Sequence, residues 1–277
     1  MIKNKELIEA IEGAFPPGLQ EEWDNCGWQI DLLGPDGDAA RALVALEITS
    51  DVVREADELG ADVIVEHHPL FFGKFASIDA SPSAIGAAGA YAASLIRAGI
   101  SVYAAHTNFD TAAGGMNDAL ARAFGLTGIT GFPAPGSGDA GGEGGKWRHS
   151  MGRKGMAPGR LRTFADFCAE AETVFGMEGR LRTVGDPDAE IRSVALCGGA
   201  GGDFVPDAIG EGVGLYITSD VKHHEAQWAR EKGLCLIDGG HWGTEKIFTP
   251  VMASFLRGKF GSSLEVVESI VSCDPWR

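Results

Sequence analysis

The sequence predicts an α/β protein made of two pseudo-symmetric lobes with mostly parallel sheets. Short apolar runs alternate along the chain with segments of helical periodicity, a pattern typical of parallel sheets covered by helices. The pattern runs twice, and each round carries histidines and an acidic residue in the same order. With 277 residues, of which 44% are hydrophobic, the chain is long enough for one large or two modest domains.

The first round follows an N-terminal segment whose apolar residues have helical spacing between residues 2 and 15. Within this round, one helix would begin with Ser50 as its N-cap and end at Gly60. The first round comprises predicted strands at 41–48, 61–65 and 100–105 and predicted helices at 50–60, 82–98 and 114–124. We expect these elements to form an N-terminal α/β lobe at residues 1–130.

A glycine-rich stretch at 136–145 predicts a mobile connection to the second round. The second round comprises a weakly strand-like segment at 145–151, predicted strands at 191–197, 215–218, 234–237 and 263–267, and predicted helices at 162–175, 221–232 and 243–256. We expect a C-terminal α/β lobe at residues 131–277, whose last helix could pack back on the first lobe.

The repeated motifs contain six of the seven histidines. In the first round, His67 and His68 follow a predicted strand, and His106 follows the next strand with Asp110 four residues later. The second round repeats this order with a second histidine pair at residues 223–224, then a histidine at 241 and an acid at 245. The same order twice indicates an internal duplication.

Histidines at strand ends suit a metal site, because ligands of open α/β sheets bind at the carboxyl ends of strands. Imidazole and carboxylate groups favour zinc, iron, manganese or nickel, whereas calcium requires oxygen ligands. Adjacent residues of a regular strand point to opposite faces, but Pro69 follows His68, so both rings could converge just past the strand end. A structural role for this pair is the alternative.

His241 and Glu245 have the spacing of residues that share one face of a helix. If the chain turns into a helix at Gly243, a ring nitrogen and a carboxylate oxygen could reach the same ion. Taken alone, such a pair is weak evidence, because many exposed helices carry one.

Charge and cysteine content exclude several classes of protein. The net charge of −16 repels phosphate backbones and anionic lipids, which argues against nucleic acid as a partner, although a small anionic substrate stays compatible with a cationic metal site. The five cysteines show no CxxC spacing, which argues against a disulfide framework or a zinc ribbon. The N-terminus lacks a signal-peptide pattern and no apolar run reaches a membrane span, so we expect a cytoplasmic protein without a membrane partner.

Six motifs together resemble the Nif-three-like family, whose members are often named GTP cyclohydrolase 1 type 2 homologues. The matching pieces are WDNCGWQ (23–29), VEHHPLFF (65–72), YAAHTNFD (103–110), ALCGGAGG (195–202), YITSDVKHH (216–224) and IDGGHWGTE (237–245). They span nearly the whole chain in the family's order. The sequence departs from the family's pattern at Trp28, where leucine is usual, and at Ser219-Asp220, where Gly-Glu is common.

The resemblance implies a Nif-three-like fold, two divalent ions per chain and a toroidal homohexamer. Transferred residue by residue, it implies as metal ligands His67, His68, Asp110, His241 and Glu245, with Glu245 bridging. The ions are zinc, iron, manganese or nickel. The implied activity is hydrolysis of a small phosphorylated or nucleotide-like substrate by a bridging hydroxide. His106 is then an acid/base catalyst or a partner that orients a ligand.

Two other functions stay open at this point. One is a GTP cyclohydrolase activity, in which water attacks a purine ring carbon. The other is a non-enzymatic role in metal handling or regulation. For the remaining motif residues, Asp24 and Asn25 either approach the pocket or form a turn, and the glycines at 198–202 either form a tight turn or admit a phosphate. His223 and His224 fit a surface or interface role.

Overall fold

The computed structural model describes residues 1–72, 78–79, 81, 88–133, 149–159 and 162–276. The predicted connection at 136–145 and the first part of the predicted helix at 82–98 lie outside the described residues, as does most of the weakly strand-like segment at 145–151.

The described strands and helices include those predicted within the described residues, in the predicted order, together with several short elements that the sequence-based prediction missed. The strands are β1 (Ile2–Lys3), β2 (Gly27–Ile30), β3 (Asp38–Ala39), β4 (Arg41–Ala45), β5 (Val63–Glu66), β6 (Ser101–Ala104), β7 (Thr127–Phe132), β8 (Gly152–Met156), β9 (Arg162–Thr163), β10 (Arg182–Val184), β11 (Glu190–Ile191), β12 (Ser193–Leu196), β13 (Leu215–Thr218), β14 (Cys235–Asp238) and β15 (Glu265–Glu268). The helices are α1 (Asn4–Ala14), α2 (Ser50–Leu59), α3 (Ala88–Ala98), α4 (Thr107–Thr111), α5 (Met116–Ala123), α6 (Phe164–Phe175), α7 (Val205–Gly210), α8 (His223–Lys232), α9 (His241–Glu245) and α10 (Phe248–Phe260).

The chain forms two compact units. The first comprises Met1–Ala113 and Phe248–Arg277, and the second comprises Gly114–Ile247. The division expected between residues 130 and 131 falls inside β7, in the second unit. Helix α10 and strand β15 belong to the first unit, because β15 pairs in parallel with β4.

The sheet of the first unit has the strand order β15-β4-β5-β6-β2. β15, β4, β5 and β6 run parallel, and β2 pairs antiparallel with β6. Every residue of β5 and β6 is buried, as expected of parallel strands covered on both faces. On one face, the side chains of Leu43, Ile64 and Val102 share a core with those of α2 and α3.

The main sheet of the second unit has the strand order β10-β14-β13-β12-β8-β7. β12, β13 and β14 run parallel in register, so that Leu196 lies beside Ile217 and Ile217 beside Ile237. β10 and β8 pair antiparallel with β14 and β12. Helices α7 and α8 contribute Val205, Ala208 and Ala229 to the core of this unit.

The predicted fold class is therefore confirmed. In each unit, three parallel strands lie side by side in chain order, β4-β5-β6 in the first and β12-β13-β14 in the second. An antiparallel strand, β2 or β10, pairs with the third of them. The units differ beside the first parallel strand, where β4 has a parallel neighbour and β12 has an antiparallel one. No described helix has both the length and the hydropathy required to cross a membrane.

Several helix boundaries differ from the sequence-based prediction by about two residues, and two of the differences change the role of a named residue. Thr49, not Ser50, caps α2, because its hydroxyl accepts the Val52 N–H at 3.3 Å. The single helix expected at 243–256 is two helices, α9 and α10, and α9 begins two residues earlier at His241. His241 and Glu245 are thus the first and last residues of one short helix.

Candidate functional site

The first unit gathers three histidines at the carboxyl ends of β5 and β6. His67 and His68 follow β5, and His106 follows β6. One ligand nitrogen from each ring lies within 4.8 Å of the other two. Asp110, on α4, adds a buried carboxylate, with its Oδ1 3.6 Å from Nε2 of His67. We call these four residues the first donor group.

The strand β5 loses its regular pleat at the histidine pair. The backbone N–H groups of His67 and His68 both donate to the carbonyl of Leu46, at 3.1 and 2.9 Å. Successive residues of a regular strand do not share one acceptor, because their N–H groups point in opposite directions. The two rings consequently lie 5.1 Å apart at an angle of 41°, on the same side of the chain.

The tautomer of His67 is determined by its backbone partner. Nδ1 lies 2.9 Å from the carbonyl oxygen of Ala105, which can only accept, so Nδ1 carries the proton. Nε2 lies on the side of Asp110. A histidine held in this way is typical of metal ligands in proteins. His68 has a different neighbour, since its Nδ1 is 3.6 Å from Oε2 of Glu47.

Asp24 holds the ring of His106. Its buried carboxylate accepts from His106 Nδ1 at 2.8 Å, from the Thr107 N–H at 3.1 Å and from the Thr107 hydroxyl. Burial alone would raise the pKa of Asp24. The hydrogen bond and the charge of His106, together with the hydrogen bond from the Thr107 hydroxyl, instead hold this pKa well below its usual range. Asp24 is therefore an ionised carboxylate that fixes the orientation of His106.

Two further groups beside the first donor group have raised pKa values. Burial raises the pKa of Glu66, the last residue of β5, to about 8, although the Leu70 N–H donates to its Oε1. Burial and the charge of Asp24 raise the pKa of the Cys26 thiol to about 12. The thiol stays protonated and donates to Asp24, so Cys26 is not a nucleophile. Sequence patterns indicated neither effect, because both depend on burial.

The second unit also places an imidazole and a carboxylate at the ends of parallel strands. His241 follows β14 and opens α9, and Glu245 lies one turn later with its Oε2 3.0 Å from Nε2 of His241. The predicted helical pairing of these residues is present. Glu245 is buried and His241 is partly exposed. We call His241 and Glu245 the second donor group.

Asp220 orients His241. Its Oδ2 lies 2.6 Å from Nδ1 of His241, so the carboxylate accepts the Nδ1 proton and the ring turns Nε2 toward Oε2 of Glu245, 3.0 Å away. Asp220 has a left-handed backbone conformation with φ of 54°, which is uncommon for a residue other than glycine. The contact was invisible in the sequence because the residues meet only across the neighbouring strands β13 and β14.

The glycine stretch after β12 forms a tight turn against the second donor group. Gly199 has φ of 67°, and its N–H donates to the Thr244 hydroxyl at 3.0 Å. A Cβ at Gly199 would overlap Oε1 of Glu245. Of the two roles considered from sequence, the structure thus shows a turn, and the space left by the missing side chain admits the carboxylate of Glu245.

His223 and His224 are exposed at the start of α8 and do not directly follow a strand. The ring of His224 lies 4.9 Å from that of Trp228 on the same helix. The internal repeat therefore does not extend to the position of this second histidine pair.

The fold and these two groups define a class: an α/β protein that presents imidazole and carboxylate side chains at the carboxyl ends of parallel strands in each of two units. Residues 2–275 match the family model Duf34/NIF3 (NGG1p interacting factor 3), and the chain belongs to this family. The resemblance found in the sequence motifs is thereby confirmed.

Named relatives and a solved structure agree with this assignment. The chain is 32% identical to the "GTP cyclohydrolase 1 type 2 homolog" of Streptomyces coelicolor, over 100% of this chain and 94% of that protein. It is 30% identical to the protein of the same name from Clostridium perfringens, over 99% of each. The crystal structure of a Bacillus cereus protein related to NIF3 superimposes with a TM-score of 0.86 at 25% identity, covering 100% of this chain and 99% of that one.

Replacing Gly199 by alanine should displace the carboxylate of Glu245 and, if Glu245 binds a metal ion, reduce the amount of metal bound. Gly212→Ala is the matched control, since Gly212 has a similar φ of 65° but nothing within 4 Å of an added Cβ. Both changes cost about 1–2 kcal/mol of backbone strain. Elemental analysis after dialysis is expected to show less metal only in Gly199→Ala. Equal metal loss in both variants would mean that strain, not crowding of Glu245, is responsible.

If His241 binds a metal ion, Asp220→Asn should weaken that binding by about tenfold, the lower end of the range for partners that orient a ligand. Asparagine tolerates the left-handed backbone, so the change removes the charge and leaves the turn intact. Competition with a chromophoric zinc chelator measures the affinity. Asp203→Asn is the control, because Asp203 is an exposed acid of the same unit that pairs with Lys222. An unchanged affinity in Asp220→Asn would contradict the orienting role.

Proposed function

We propose that this protein binds two divalent metal ions per chain and hydrolyses a small, phosphorylated or nucleotide-like substrate. The proposed ligands are those implied by the family resemblance: His67, His68, Asp110, His241 and Glu245. Zinc, iron, manganese and nickel all accept this mixture of imidazole and carboxylate groups. When bound, such a pair of ions supplies Lewis acidity and lowers the pKa of water toward neutrality.

The observation that carries the proposal is the orientation of two imidazole rings. The Ala105 carbonyl holds the Nδ1 proton of His67, and the Asp220 carboxylate holds that of His241. In both rings, Nε2 lies beside a buried carboxylate, that of Asp110 or Glu245. A purely structural histidine does not require this combination of a bound Nδ1 proton and an acidic neighbour at Nε2.

His106 is the proposed proton carrier. Its Nδ1 is bound to Asp24, so the ring exchanges a proton with substrate or water at Nε2. The carboxylate of Asp24 holds the ring in one orientation through Nδ1, as in other carboxylate–histidine pairs that act as acid or base. His106 is placed for this role because its ring centroid lies 5.0 Å from that of His67 and 5.6 Å from that of His68.

The names of the two bacterial relatives favour a second candidate reaction, the attack of water on a ring carbon of GTP. The same ligands and the same proton carrier would serve this reaction.

A non-enzymatic role in metal handling is the third candidate function. Self-association into a toroidal homohexamer is also part of the proposal. The mass of the purified protein in solution tests the hexamer.

Metal content tests the central proposal. Protein purified without added metal is expected to contain about two ions per chain. Glu245→Gln should lower this content sharply, because the change keeps the shape of the side chain and removes its charge. Glu231→Gln is the control, since Glu231 is an exposed acid on α8 of the same unit. Metal-free wild-type protein after mild purification would contradict the proposal.

Turnover separates the three candidate functions. The metal-loaded protein is incubated with phosphoesters and nucleotides, while phosphate release and purine absorbance are followed. Phosphate release supports the hydrolase, loss of the purine spectrum supports the cyclohydrolase, and readily exchanged metal without turnover supports metal handling.

A further inference from the structure

Trp23 and Phe72 form an exposed aromatic pair in the first unit. More than half of each side chain is exposed, 54% for Trp23 and 59% for Phe72. Their rings are nearly parallel, with an angle of 16° between the planes and 6.4 Å between the centroids. Large exposed aromatic side chains that lie together are typical of binding surfaces.

The protein holds this aromatic pair in place by hydrogen bonds between two loops. Nδ2 of Asn25, two residues after Trp23, donates to the carbonyl of Phe71 at 2.9 Å. The Phe71 N–H donates to Oε1 of Gln29 at 3.2 Å, and the Gln29 amide donates back to the Asn25 carbonyl at 2.7 Å. Asn25 therefore ties the loop that carries Trp23 to the segment that carries Phe72.

The exposure of Phe72 is specific to that residue. Leu70 and Phe71, the two preceding residues, pack against the core of the first unit. Of these three consecutive residues, Phe72 alone turns outward, where its ring adjoins Trp23. The ring of Phe72 is therefore available for contact with another molecule.

His106 stands beside both rings of the aromatic pair. Its ring is close to perpendicular to them, at 75° to Trp23 with centroids 6.0 Å apart and at 81° to Phe72 with centroids 5.5 Å apart. His106 also belongs to the first donor group. A group that stacks on the aromatic pair would thus lie within reach of the proposed proton carrier.

We propose that Trp23 and Phe72 bind a planar heteroaromatic ring of the substrate by stacking. The two nearly parallel π faces match a flat ring, and His106 supplies a hydrogen-bonding group for its polar edge. The net charge of −16 opposes a nucleic-acid strand as the occupant. This assignment rests on the proposed function, because it names the part of the nucleotide-like substrate that binds beside the first donor group.

Binding of two probes tests the proposal. Nucleoside monophosphates carry a heteroaromatic ring, whereas ribose 5-phosphate has the same sugar and phosphate without the ring. By isothermal titration calorimetry, the wild-type chain should bind the nucleotides about tenfold more tightly than ribose 5-phosphate, the ratio expected from stacking one ring. Trp23→Ala and Phe72→Ala should each remove most of this preference, and Trp23→Phe should retain it.

Trp228→Ala is the matched control. Trp228 is also an exposed tryptophan, at 44%, that lies against a histidine ring, but it is on α8 of the second unit. This variant should keep the preference for nucleotides. A wild-type protein that binds both probes equally, or binds neither, overturns the proposal. It is also overturned if Trp23→Ala changes only the self-association of the protein, which would assign the pair to a contact between chains.

The outcomes separate this proposal from the proposed function. The protein could bind metal and prefer nucleotides to ribose 5-phosphate in a way that depends on Trp23, yet hydrolyse none of the substrates. This result supports the stacking site and contradicts the hydrolase. The opposite result is that the protein hydrolyses ribose 5-phosphate as fast as nucleotides and binds the two equally tightly. This result supports the hydrolase and overturns the stacking site.

Discussion

The double hydrogen bond to the Leu46 carbonyl is the constraint on which the first donor group depends. By accepting the N–H groups of both His67 and His68, this single oxygen ends the alternation of side chains along β5. Without it, adjacent histidines would point to opposite faces of the sheet and could not act together. Because Leu46 follows β4, the geometry of the pair depends on the parallel pairing of β4 with β5. The buried core of the first unit, which fixes that pairing, therefore also fixes the position of the two rings.

A carboxylate that holds the Nδ1 proton of a histidine recurs in the two units. Asp24 holds His106 in the first and Asp220 holds His241 in the second. Each acid approaches from a different part of the chain, Asp24 from the loop before β2 and Asp220 from the loop after β13. The shared result is a ring of defined tautomer and orientation. For a proposed ligand this favours binding of a cation through Nε2, and for a proposed proton carrier it favours transfer of a proton at Nε2.

The surroundings of the donor residues show how small groups determine the shape of the site. Gly199 leaves the space that the carboxylate of Glu245 occupies, and the Asn25 amide ties the loop that bears Trp23 to the segment that bears Phe72. Neither residue has a group that could carry out the proposed chemistry. Their contribution is geometric, since one prevents a clash and the other supplies a hydrogen bond between loops. Substitutions at such positions change a site while leaving its proposed ligands intact.

The sequence by itself determined the fold class and the order of the main elements, and it singled out the candidate metal-binding residues. These follow from local properties: apolar periodicity sets strands and helices, and His241 and Glu245 are neighbours within one helical turn. Only the tertiary structure decided the partners of those residues. Asp24 reaches His106, Asp220 reaches His241 and Asn25 reaches Phe71 across loops that are distant in the chain, because paired strands and packed helices bring the loops together. The pKa values of Glu66 and Cys26 were equally inaccessible, since they arise from burial, which no short stretch of sequence specifies.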